Sequence, residues 1–64
     1  MRYKYRKFMS ADGVEQFLNE FGKLGYNLSQ YILGITDKWN GPGDNVYTIF
    51  YKTNDEIESK LRYD

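Results

Sequence analysis

Apolar positions along this chain change their spacing several times, and each change marks an element. In residues 1 to 9, Tyr3 and Tyr5 alternate with Arg2, Lys4 and Arg6, the period of two expected for a half-buried strand. From Val14 the spacing switches. Val14, Phe17, Leu18, Phe21 and Leu24 stand at i, i+3, i+4, i+7 and i+10, which draws one apolar stripe along a helix. Ser10 is placed to cap that helix, with Asp12 and Glu15 as an alternative capping pair near the positive end of its dipole. Gly25 stands where a left-handed residue would close it. Residues 26 to 36 return to a period of two, with Tyr26, Leu28 and Ile32 on one side and Tyr31, Leu33 and Ile35 on the other. Asp37 to Asn45 reads as a connection around Asn40-Gly41-Pro42-Gly43. Residues 46 to 53 alternate again, Val46, Thr48 and Phe50 against Tyr47, Ile49 and Tyr51. Beyond them, Thr53-Asn54-Asp55-Glu56 has the form of a capping box, and Ile57 and Leu61 lie one turn apart. Glu56 to Lys60 and Glu58 to Arg62 add favourably ordered i, i+4 pairs, so residues 54 to 64 read as a charged tail able to form a short helix.

The order β-α-β-β points to the α+β class. The last two strands form a hairpin, and a right-handed crossover through the helix makes the first two parallel. The third strand then belongs between them, antiparallel to both, in a three-stranded antiparallel sheet of order 1-3-2 with the helix on one face. Residues 1 to 53 form the domain. This reading turns Tyr31, Leu33, Ile35, Tyr47, Ile49 and Tyr51 to the opposite face, which is too apolar to leave in water and calls for a second copy or the tail helix to cover it.

Composition sharpens this picture mainly by exclusion. A chain of 64 residues buries only about 60% of the surface its unfolded form exposes, and domains this small usually lean on a disulfide, a metal or a partner subunit. Cysteine and histidine are both absent, which removes disulfides, thiolate metal sites and the side chain that titrates near neutrality. Self-association is the support that is left. No stretch approaches the roughly 18 apolar residues of a membrane span, and a cytoplasmic protein is expected. Net charge is zero, so no overall field draws the chain to nucleic acid, although Arg2, Lys4, Arg6 and Lys7 make the first strand locally basic. Seven tyrosines, four phenylalanines and one tryptophan make 19% of the chain, which suits a sheet whose outer face is used.

Several of these segments resemble a known family. Tyr3-Lys4-Tyr5, the run Phe17-Leu18-Asn19-Glu20-Phe21-Gly22-Lys23-Leu24-Gly25-Tyr26-Asn27-Leu28 and Ile49-Phe50-Tyr51-Lys52 are similar to domain of unknown function 4177, a family of small β-α-β-β proteins of bacteria and their phages. Its usual helix exit is Leu-Asn-x-Leu-Gly-x-x-Gly-Trp-x-Leu. Here Phe21 replaces a leucine and Tyr26 the tryptophan. The likeness spans residues 1 to 53, implies the fold and a bacterial or phage origin, and supplies no catalytic residue. The segment 37 to 45 and the tail after Thr53 depart from the family pattern.

Candidate chemistry is sparse. Hydrolytic triads are excluded with histidine and cysteine. Asp12 and Glu15 are explained by capping. Asp37 and Asp44 do not fit a calcium loop, because position 12 counted from Asp37 is Thr48 where a glutamate belongs. Gly41-Pro42-Gly43 is a weak phosphate cradle and reads as turn chemistry. Trp39 is either folded back on the core or an interaction anchor, with Asn40 beside it. Arg2, Lys4 and Arg6 are either guards of an edge strand or a rim for an anionic ligand. Tyr31, Tyr47 and Tyr51 are either a stacking platform or an oligomer interface. The expected function is therefore binding without catalysis, needing no cofactor and no metal: an accessory protein that engages and modulates a host protein as a homo-oligomer. Two alternatives stand beside it, capture of a small anionic nucleotide at a subunit boundary lined by Tyr3, Arg6 and Tyr47, and single-stranded nucleic-acid binding, the latter disfavoured by the net charge.

Overall fold

A computed structural model describes residues 1–39, 41 and 45–61 of the chain. Its elements are β1 (Arg2–Phe8), α1 (Ala11–Lys23), α2 (Leu28–Tyr31), β2 (Ile32–Trp39), β3 (Asn45–Thr53) and α3 (Asp55–Lys60). The strands form one sheet in the order β1-β3-β2, with both neighbours antiparallel to β3, so the α+β architecture and the central place of the last strand agree with the pattern reading.

Local chemistry explains where α1 begins and ends. The Ser10 hydroxyl accepts a hydrogen bond from the Gly13 N–H at 3.2 Å and caps the first turn. A Cβ at Gly13 would lie 3.0 Å from Phe8 Cδ1, so a larger residue here would force the Phe8 ring to shift. At the other end Gly25 has φ +92°, the left-handed geometry that closes the helix.

The second strand departs from expectation at both ends. Residues 28 to 31 form a helical turn, because the Asn27 side chain accepts from the Ser29 N–H at 2.9 Å and from its hydroxyl at 2.7 Å. Such local bonds give the backbone an alternative to a ladder. The strand starts at Ile32 and runs past Thr36, and Asp37, Lys38 and Trp39 pair with Tyr47, Val46 and Asn45 rather than opening a loop. An irregularity at Leu33 sets Ile32 opposite Tyr51 but Gly34 opposite Phe50. Asn40, Pro42, Gly43 and Asp44 lie outside the described residues, as do Arg62, Tyr63 and Asp64.

The two faces of the sheet are the reverse of those read from alternation. Ile49 and Tyr51 are fully buried beneath α1, packed with Phe17, Phe21, Ile57 and Leu61. Tyr31 and Ile32 flank that core. The register puts Arg2, Lys4 and Arg6 on the same side, leaving Tyr3, Tyr5, Lys7, Thr48, Phe50 and Lys52 on the outside. Each side of β3 carries a comparable apolar set, so period two alone cannot choose between them. The helices choose the set with two large aromatic side chains and isoleucine.

Six rings then connect through the interior. Phe8, Phe17, Phe21, Tyr26, Tyr31 and Tyr51 are linked by centroid separations between 5.1 and 5.9 Å, mostly tilted or edge-on. Full burial, reached by Phe17, Phe21 and Tyr51, contributes about 2–3 kcal/mol for each such side chain, and the half-buried Phe8, Tyr26 and Tyr31 contribute less. The tail closes the same core. Asn54 rather than Thr53 caps α3, accepting from the Ile57 N–H at 2.8 Å, and Ile57 and Leu61 pack on the α1 side of the sheet. The tail helix therefore shares a face with α1 and leaves the outer face uncovered.

Candidate functional site

Three places bring chemistry-bearing residues together. The first lies between β1 and α3, where Glu58 receives four side-chain donors. Lys4 Nζ is 2.9 Å and Arg6 Nη2 3.2 Å from Glu58 Oε1, while the Tyr51 hydroxyl is 3.0 Å and Thr53 Oγ1 2.7 Å from Oε2. Arg6 also donates through Nε to the Tyr51 hydroxyl at 2.9 Å and lies over the Phe17 ring at 5.4 Å from its centroid. Burial alone would raise the Glu58 pKa, but hydrogen bonds from Lys4, Thr53, Arg6 and Tyr51 outweigh it and hold the carboxyl at about 2. Burial pushes the Tyr51 hydroxyl up, which keeps it protonated as the donor between Arg6 and Glu58. Farther along, Arg2 pairs with Asp55 at 2.8 Å. The basic side of β1 is thus the seat of α3. On this edge strand the cations are taken up by α3 and do not form an open rim, and Glu58, which organises them, gives no sequence signal beyond a helical i, i+4 pair.

The second place is an open hollow between the first turn of α1 and the far part of the β2–β3 hairpin. Ala11, Val14, Ile35, Asp37 and Tyr47 line a groove of about 420 Å³. Tyr47 also borders a neighbouring hollow of about 380 Å³ formed with Met9, Trp39 and Asn45. Trp39 is 67% and Met9 67% exposed, and Ile35 is 46% exposed although it faces the helix side. These hollows exist because α1 starts at Ala11 and covers only the near half of a hairpin that makes the molecule 37 Å long against 19 and 18 Å across.

The outer sheet face is the third. Tyr3 is 72%, Tyr5 56% and Phe50 42% exposed, and Tyr5 and Phe50 sit opposite one another with ring centroids 6.2 Å apart. Lys7 lies over the Tyr5 ring at 5.9 Å. Lys52 stands opposite Tyr3, and Lys38 opposite Val46.

The structure separates residues that the sequence groups. Tyr51 is fully buried, Tyr31 half-buried against Phe21 and Tyr26, and only Tyr47 of that trio borders open space, so they form no outer platform. Tyr3 and Arg6 occupy opposite faces of β1 and cannot line one pocket of the same chain with Tyr47. Trp39 projects at the hairpin end, and Asn40 lies outside the described residues. Lys7, Lys38, Lys52 and Phe50 escape the sequence reading, although Tyr3-x-Tyr5-x-Lys7 and Phe50-x-Lys52 alternate plainly once the outer side is known. Among the described residues no group of three acidic side chains is placed to hold a metal, and no helix is long and apolar enough to cross a membrane.

No family model matches this chain, and neither the curated proteins nor the solved structures contain one similar to it.

Proposed function

We propose that this chain is a non-catalytic binding protein that works as a homo-oligomer and acts by engaging another protein, in the manner of a bacterial or phage accessory factor directed at a host protein. The observation that carries this reading is the pair of adjoining hollows at the hairpin end. Val14, Ile35 and Tyr47 floor one, a largely apolar groove with Asp37 at its edge, and Met9 and Trp39 wall the other, more polar hollow beside Asn45, which places an exposed indole next to an apolar recess. Exposed tryptophan beside a shallow apolar recess is the usual make-up of an interaction anchor. Absence of catalysis is supported by the residue inventory, which lacks histidine and cysteine, and by Glu58, whose oxygens are already taken by four donors.

Trp39 is the single tryptophan, so its fluorescence reports on this site alone. With rising protein concentration, light scattering should show a mass above the 7.6 kDa of one chain, and Trp39 emission should shift to the blue as the indole leaves water. Trp39→Ala combined with Ile35→Gln should weaken the association at least tenfold, about 1.4 kcal/mol, without changing the far-UV spectrum. Association that ignores both substitutions would place the contact elsewhere.

A further inference from the structure

The outer face of the sheet differs from the rest of the molecule in charge. Its described side chains include Lys7, Lys38 and Lys52, none of which has an ion-pair partner among the described residues, and no described carboxylate lies on it. Asp12, Glu15 and Glu20 ride on α1, Asp55, Glu56 and Glu58 on or beside α3, and Asp37 points into the hairpin groove on the opposite side. The described acids thus lie on the helix side of the sheet together with Arg2, Lys4, Arg6, Lys23 and Lys60, whereas the three lysines behind the sheet have no carboxylate beside them among the described residues.

Aromatic rings stand among these lysines. Tyr3, Tyr5 and Phe50 project from adjacent strands, Tyr5 and Phe50 forming a tilted pair at 6.2 Å. Across β3 from Tyr5, the neighbour of Phe50 is Gly34, around which a Cβ would meet nothing within 4 Å. The ring of Phe50 therefore has a bare strip of backbone beside it, open for a flat group to lie on.

We infer that this face binds single-stranded nucleic acid, with Tyr5 and Phe50 stacking on bases and Lys7, Lys38 and Lys52 taking phosphates. Rings supply sequence-tolerant stacking and lysines the backbone charge, the two elements of such surfaces. A duplex keeps its bases stacked inside and offers the rings only edges, whereas an unpaired strand can splay its bases onto them. Charge favours a polyanion over a second copy as the occupant, because apposing two such faces would set three lysines against three with no described carboxylate between them. The proposal uses the opposite side of the sheet from the hairpin hollows, so either can fail without the other.

Fluorescence anisotropy with a labelled homopyrimidine strand of about 12 nucleotides tests it. Binding should fall with salt on a log–log slope of about −2, the value for three neutralised phosphates on a single strand, and Lys52→Ala should make that slope shallower by about 0.7. Tyr5→Ala and Phe50→Ala, both at exposed positions, should each weaken binding about tenfold while the thermal transition is kept, and a duplex of equal length should bind far less. Salt-sensitive binding that both aromatic substitutions leave unchanged would overturn the inference, as would equal competition by heparin. So would attachment to anionic phospholipid vesicles without affinity for the strand. A solution mass that drops on Phe50→Ala would show the face to be a contact between copies instead.

Discussion

At the residue scale, Glu58 is where the polar contacts between β1, β3 and α3 converge. Its two oxygens accept from a lysine, an arginine, a tyrosine and a threonine drawn from both β1 and β3. A carboxyl whose pKa is depressed from 4.5 to about 2 stabilises the fold at any pH above the ordinary value and loses that contribution as pH falls through this interval. Glu58→Gln should therefore cost about 2 kcal/mol at neutral pH, roughly 10 °C in Tm. The gap between variant and wild type should close as the pH is lowered from 4.5 to 2. Thermal melts across that range check it, and parallel curves for the two proteins would remove Glu58 from the account. Arg6 is equally specific. Its Nε reaches Tyr51, its Nη2 reaches Glu58, and its plane covers Phe17, a set of contacts that a lysine ammonium cannot reproduce.

At the scale of elements, α3 is integral to the domain. Removing residues 54 to 61 would expose Phe17 and Tyr51, discard Ile57 and Leu61 from the core, and strand Lys4 and Arg6 beside a tyrosine without its acceptor. A chain ending at Thr53 should lose its cooperative thermal transition, whereas Asn54→Ala should only lower stability by about 1 kcal/mol through the lost cap. Circular dichroism during heating distinguishes these, and a truncated chain that still melts cooperatively would make α3 dispensable. Sequence patterning announced α1 with its cap and its Gly25 stop, because a 3.6 period and a left-handed exit are local properties. It missed the turn at 28 to 31, where the Asn27 side chain overrides an alternating pattern, and it missed that the basic side of β1 faces inward. Neither is visible locally. The first depends on one side-chain bond, and the second on carboxylates more than fifty residues away in sequence.

For the whole molecule, class and strand order were legible in the succession of periods, since a crossover helix and a hairpin leave few ways to build the sheet. The candidate surfaces were not. Zero net charge hid an outer face that carries three lysines and, among the described residues, no carboxylate, which the assignment of faces exposes. Raising ionic strength should leave the hairpin-end association nearly unchanged, because Asp37 is the one charged side chain among the described residues that line it, while stripping any polyanion from the sheet. Sedimentation at two salt concentrations separates these responses, and loss of both together would tie them to one surface.

The central position of β3 also governs the order of events during folding. Trp39 lies opposite Asn45, so β2 and β3 can zip from a short closure in microseconds. β1 must instead find a partner across most of the chain, since Arg2 pairs with Thr53, and such distant closures are slow. Formation of the hairpin should then precede the slow pairing of β1, which sets the rate of folding, with α3 locking on last. Substitutions in α3 would chiefly accelerate unfolding. In a chevron experiment Glu58→Gln should steepen the loss of the native state while hardly slowing its formation. The charge cluster between the first strand and the last helix would on that account act as a latch, setting how long each molecule stays folded once it has folded.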